Sequence, residues 1–199
     1  MRKLILSMLV SLDGHTARSD GDLSWFRTDE QFEEDMLALL RSVDAVLFGR
    51  VSYQSLSEFW PTAGTEATGE APGGFTSKAR EIEFARLLNS LPKVVFSRTL
   101  TEAAWTPARI VRDDAAGEVA RMKREAGKDL VLFAGAGLAT SFMNDDLVDE
   151  YHLLVHPIVL GRGIPLFSGV QAERPLALES ARSLPSGVVS LRYRRDRSA

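Results

Sequence analysis

The segment DLVLFAGAGLATSFMNDDL, residues 129–147, decides the architecture. It opens as a short, almost unbroken apolar run, the mark of a strand buried on both faces. Beyond Gly135 and Gly137 a helix-like pattern follows in LATSFMNDDL, residues 138–147. Two readings fit a strand that passes to a helix through two glycines. The turn is tight and needs backbone angles that suit glycine, or its bare N–H groups and the helix dipole cradle an anion. The full G-x-G-x-x-G fingerprint is absent, because Thr140 fills the last position. On the residues alone both readings stand.

Outward from this turn, strands and helices alternate. KLILSMLVSL (3–12), DAVLFGR (44–50) and KVVFSR (93–98) are further apolar strands. Helices are expected over TDEQFEEDMLALLRSV (28–43), VSYQSLSEFW (51–60), TSKAREIEFARLLNSL (76–91) and EVARMKREAG (118–127). The first carries Phe32, Met36, Leu39, Leu40 and Val43 at helical spacing, with Thr28 and Gln31 at capping-box distance. VDEYHLLVHPIVLG (148–161) reads as one strand, and LALESARSLPSGVVSLRYRRD (176–196) as two strands around a Pro-Ser-Gly turn. The segment 13–22 is a polar loop, and the Pro/Gly/Thr-rich stretch 61–75 a mobile insertion. This order predicts a single α/β domain over residues 1–199, with a mostly parallel central sheet and an antiparallel C-terminal edge.

Composition narrows the function. Of 199 residues 45% are hydrophobic and 26% charged, enough for a full core, and the formal charge of -3 favours neither nucleic acid nor an anionic membrane as partner. The chain has no cysteine, which excludes thiolate catalysis and zinc-cysteine sites. His15, His152 and His156 are dispersed and supply no obvious metal set. The N-terminal apolar run is short, broken by Ser7 and Ser11, and meets Asp13 without a cleavage pattern. It reads as a strand rather than a signal peptide, and the protein as cytoplasmic.

Three strands end in anion-friendly residues: Gly49-Arg50 with Ser52, Ser97-Arg98-Thr99, and Gly135-Ala136-Gly137-Leu138. In a parallel sheet such ends share one edge, where open α/β sheets bind ligands. Each group also has a plain structural reading as a turn or a solvated arginine. The segment 11–30 crowds Asp13, His15, Asp20, Asp22, Trp25, Asp29 and Glu30 into a loop able to cover a ligand. Asp13, Asp29 and Glu30 are the candidate proton-handling carboxylates, and helix capping is the competing explanation for Asp29 and Glu30.

SLDG (11–14), LFGRVSYQ (47–54), KVVFSRTL (93–100), the block 131–167 and the closing hairpin resemble the dihydrofolate reductase-like superfamily. The nearer likeness is to its branch containing the reductase domain of bacterial riboflavin biosynthesis. The resemblance spans nearly the whole chain and is most specific in VDEYHLLVHPIVLGRGIPLF (148–167). It implies a three-layer reductase fold that binds NADPH and passes a hydride to a small heterocyclic or carbonyl acceptor: a riboflavin-pathway pyrimidine of the 5-amino-6-(5-phosphoribosylamino)uracil type, a pterin, or another carbonyl compound. It further implies that Gly49, Arg50 and Ser52 bind cofactor phosphates and that Ser97 and Arg98 hold the 2′-phosphate end. Gly135, Ala136, Gly137 and Leu138 would wrap the pyrophosphate and nicotinamide ribose, with Leu12 to Gly14 beside the nicotinamide. Two departures stand out. Ala134-Gly135 occupies the place of two adjacent glycines, and Trp25 precedes both Asp29 and Glu30 where the superfamily has one relay carboxylate. The alternative function is a non-catalytic nucleotide-binding module that kept the phosphate cradle. A homodimer is expected through sheet edges, with strand 188–194 as the candidate edge.

Overall fold

Each apolar run found above becomes a strand. The computed structural model describes residues 1–63 and 74–198, so the expected insertion at 61–75 lies largely outside the described residues. In chain order the elements are β1 (Leu4–Ser11), β2 (His15–Ala17), α1 (Glu30–Ser42), β3 (Val43–Gly49), α2 (Arg50–Ser57), α3 (Lys78–Ser90), β4 (Lys93–Phe96), β5 (Ala108–Val111), α4 (Ala115–Arg124), β6 (Asp129–Phe133), α5 (Ala136–Asn144), β7 (Glu150–His156), β8 (Ile164–Pro165), β9 (Leu176–Ser183) and β10 (Val189–Arg195).

Eight strands form one sheet in the order β5-β4-β3-β6-β1-β7-β10-β9. The six from β5 to β7 are parallel, and β10 and β9 follow antiparallel. Alternation along the strands divides the core between two faces. Ile5, Val46, Phe48, Val95 and Val131 pack under Leu37 and Leu40 of α1, Tyr53 of α2, and Phe84 and Leu88 of α3. Leu4, Leu6, Leu47, Phe96, Leu130 and Leu132 pack under Val119 and Met122 of α4 and Phe142 of α5. The architecture is thus three-layered, a mostly parallel sheet with antiparallel edge strands between two helical layers.

Several expectations need correction. Asp29, not Thr28, caps α1: its Oδ1 accepts the Phe32 amide at 2.8 Å. The strand expected over 148–161 stops at His156, because Pro157 follows. Strand 188–194 is not an edge, since β10 pairs with β7 on one side and β9 on the other. A homodimer built by sheet extension would therefore use β9 or β5. The polar loop 13–22 contributes β2, which forms a small ribbon with β8.

The loop between β2 and α1 is fastened to the end of β7. The Arg27 amide donates to His156 Nδ1 at 3.1 Å. Trp25, Phe26 and Phe32 meet the imidazole edge-on, with centroids at 5.3, 6.1 and 6.3 Å. Because Nδ1 accepts, the neutral ring carries its proton on Nε2. Burial, helped by the charge of Arg27, pushes the imidazole down to about 4. The unfolded chain binds this proton near pH 6.5 and the folded chain only near 4, so stability is lost as pH falls through that window. Between pH 7 and pH 5 the loss attributable to His156 is about 2 kcal/mol. Urea unfolding at the two pH values is expected to show this loss in the wild type. It should largely vanish in His156→Asn, whose amide oxygen can still accept from Arg27.

Candidate functional site

The chain leaves β3 toward the face covered by α1, α2 and α3, and leaves β6 toward the face covered by α4 and α5. Strands β3 and β6 are neighbours, with Phe48 opposite Phe133. Their carboxyl ends therefore flank a topological switch point, where the diverging connections open a crevice. Gly49 precedes α2 and Gly135 precedes α5, and neither helix start has a side-chain cap. Two sets of free backbone N–H groups thus converge on one crevice, each at the positive end of a helix dipole.

Spacing across the crevice is close. A Cβ placed on Gly49 would lie 3.7 Å from Leu138, and one on Gly135 would lie 4.0 Å from Ser52 Oγ. A Cβ on Gly137 would meet nothing within 4 Å. The segments holding Gly49, Arg50 and Ser52 and holding Gly135, Ala136, Gly137 and Leu138 thus come together. Tyr53 anchors α2 beneath them, its hydroxyl accepting the Trp105 amide at 2.7 Å. Arg50 is exposed and, among the described residues, reaches only Gln54, at 2.9 Å. Phe96 lies opposite Gly49, so the Ser97–Leu100 turn adjoins the crevice. Ser97 Oγ accepts from the Thr99 and Leu100 amides at 3.2 and 2.9 Å, which leaves its own O–H free to donate. The Arg98 side chain is exposed and has no hydrogen bond or ion pair among the described residues.

Leu12, Asp13 and Gly14 form the turn that ends β1, beside β6 and β7. Leu12 is exposed, and its amide donates to the Ile158 carbonyl at 2.8 Å. Gly14 takes φ 81°, a conformation that disfavours a side chain. Asp13 accepts from the Ser11 hydroxyl at 2.6 Å and from the Leu160 and Gly161 amides at 3.0 and 2.7 Å. These bonds hold its carboxyl well below the usual range. Asp13 therefore ties the 158–161 loop to the end of β1 and is poorly suited to donate a proton.

Asp29 is similarly committed: besides the cap, its Oδ2 accepts the Ser186 amide at 2.7 Å. Burial works to raise its carboxyl, but the bonds from Ser186 and Phe32 outweigh this and hold it low. Glu30 is exposed and lies 3.3 Å from Arg80. Sequence reasoning passed over Glu33, which is 0% exposed and accepts from the Thr76 amide and hydroxyl. Its helical spacing with Leu37 and Leu40 was the available signal. His15 lies beside Asp13, and His152 pairs with Glu150 at 3.2 Å. Among the described residues no helix is long and apolar enough to cross a membrane. Asp29→Asn keeps a weaker cap and loses the charge held by two amides. It is expected to cost about 1 kcal/mol of stability in urea unfolding.

Residues 2–190 match the RibD C-terminal domain. The Bacillus subtilis (strain 168) protein YyaP is 34% identical over 192 residues, covering 96% of this chain and 94% of that protein. The riboflavin biosynthesis protein RibD of Corynebacterium ammoniagenes is 25% identical over 169 residues, which span 82% of this chain but only 45% of that protein. A putative riboflavin biosynthesis protein from Shewanella sp. PV-4 superposes with a TM-score of 0.72 at 22% identity, covering 99% of this chain and 100% of that one. The deaminase/5-amino-6-(5-phosphoribosylamino)uracil reductase of Thermotoga maritima superposes with a TM-score of 0.65 at 17% identity, covering 98% of this chain and 57% of that one. With a family match across nearly its whole length, on a reductase-like fold, the chain belongs to the RibD C-terminal domain family.

Proposed function

We propose that this protein is an NADPH-dependent reductase that passes a hydride to a small heterocyclic or carbonyl acceptor. The observation that carries this reading is the meeting of two uncapped helix starts at the β3/β6 switch point, over glycines whose missing side chains leave room for a diphosphate. Membership of the RibD C-terminal domain family supports it. When bound, NADPH supplies the hydride itself.

The chain's own residues bind and orient. Backbone amides of Gly135, Ala136 and Gly137 would hold the diphosphate, with the Ser52 hydroxyl across the crevice. Arg50 and Arg98 offer guanidinium groups to phosphate, Arg98 at the 2′-phosphate end with Ser97. Leu12 to Gly14 would border the nicotinamide, and the Asp13 anchor keeps that border rigid. Of the three candidate carboxylates, Asp13 and Asp29 are committed to backbone amides, and Glu30 is exposed beside Arg80. That commitment also favours a second reading, a nucleotide-binding module without turnover. Binding of NADPH without its oxidation across a panel of pyrimidine, pterin and carbonyl acceptors would favour the module.

The decisive experiment is a titration with NADPH and NADH, followed by energy transfer from tryptophan to the reduced nicotinamide. Saturation by NADPH with weaker NADH binding is expected. Gly137→Val should abolish saturation while the melting curve still shows a folded protein, because a Cβ placed there meets no atom of the described residues within 4 Å. Arg98→Ala should weaken NADPH about tenfold and NADH little, the cost of one charge-assisted contact. Undiminished binding by Gly137→Val would refute the cradle.

A further inference from the structure

The turn that presents Arg98 is held by the neighbouring edge strand. The Ser97 amide donates to the Val111 carbonyl at 3.0 Å, where β5 ends. The next residue, Arg112, directs one guanidinium nitrogen, Nη1, to two carbonyls of the same turn. It reaches Leu100 O at 2.9 Å and Arg98 O at 3.4 Å. Ser97 Oγ meanwhile takes the Thr99 and Leu100 amides. Three amides and two carbonyls of the turn are thus fixed by Ser97 or by the end of β5. The side chains of Arg98 and Thr99 are exposed, with no partner among the described residues.

We propose that Arg112 is a positioning residue for cofactor specificity: by clamping the Arg98 and Leu100 carbonyls it holds the Arg98 guanidinium in place for a 2′-phosphate. The proposal rests on the cofactor reading above. A surface turn left loose must be ordered when the ligand binds, and that ordering weakens affinity. A turn already clamped avoids the loss. The benefit falls on the ligand that uses Arg98, so Arg112 acts on NADPH and spares NADH.

The test measures NADPH and NADH dissociation constants for the wild type, Arg112→Ala, Arg112→Gln and Arg112→Lys, with melting curves to confirm folding. Arg112→Ala is expected to weaken NADPH about fivefold, the scale of ordering one long side chain and its turn, and to leave NADH within about twofold. Arg112→Gln has no charge but can still donate to a carbonyl, and it should recover a substantial part of the NADPH affinity. If glutamine behaves like alanine while lysine behaves like arginine, Arg112 acts through its charge and the positioning role is overturned. Full NADPH preference in Arg112→Ala overturns it equally. A wild type with no preference for NADPH overturns the cofactor reading and this inference together.

Discussion

The placement of β6 between β1 and β3 is the constraint on which the rest depends. It pairs in register with both, Leu130 to Leu132 against Leu4 to Leu6 on one side and Ala45 to Leu47 on the other. The connections that leave the neighbouring strands β3 and β6 turn to opposite faces of the sheet, toward α2 and toward α5. The starts of α2 and α5 are left facing one crevice, and neither carries a side-chain cap. Unsatisfied N–H groups are costly when shielded from water and useful when an anion arrives. The crevice follows from the strand order, and the glycines keep it open.

Much of this was legible in the sequence, for a physical reason. Strands of a parallel sheet are covered on both faces, so β1, β3, β4 and β6 appear as apolar runs. Helices α1 and α4 show their buried stripes at helical spacing. Reading failed where the pattern is short or polar. β5 contains Arg109, whose guanidinium pairs with Glu118, and β2 and β8 are little more than single rungs. The cap of α1 was misread by one residue, since Thr28 and Asp29 both have capping side chains and only the chain's path selects between them. The edge was misread for a related reason. The place of 188–194 at the end of the chain and its charged residues suggested an edge strand, yet β10 is interior and its backbone pairs on both sides.

The site divides in the same way. Its glycines, with Arg50 and Arg98, stand at strand ends that the apolar runs locate, so their nearness was readable. Glu33, His156 and Arg112 were not, because each does its work on a backbone group far away in sequence. Glu33 serves Thr76, His156 serves Arg27, and Arg112 serves Arg98 and Leu100. A polar residue of this kind looks like any other until the partner that satisfies it is known.

These distant partners share a purpose. Asp13 fastens the 158–161 loop to β1, His156 fastens the 25–27 loop to β7, and Arg112 fastens the 97–100 turn to β5. All three act at the carboxyl edge of the sheet, around the crevice. Side chains that in other settings would donate or accept protons are here spent on backbone. Asp13 is held ionised by the Ser11 hydroxyl and two amides, and His156 is held neutral by burial. A rim built this way has little acid–base capacity of its own and considerable rigidity. That combination suits the proposed reduction, in which a cofactor would carry the reactive electrons and the protein would hold two partners at a fixed distance.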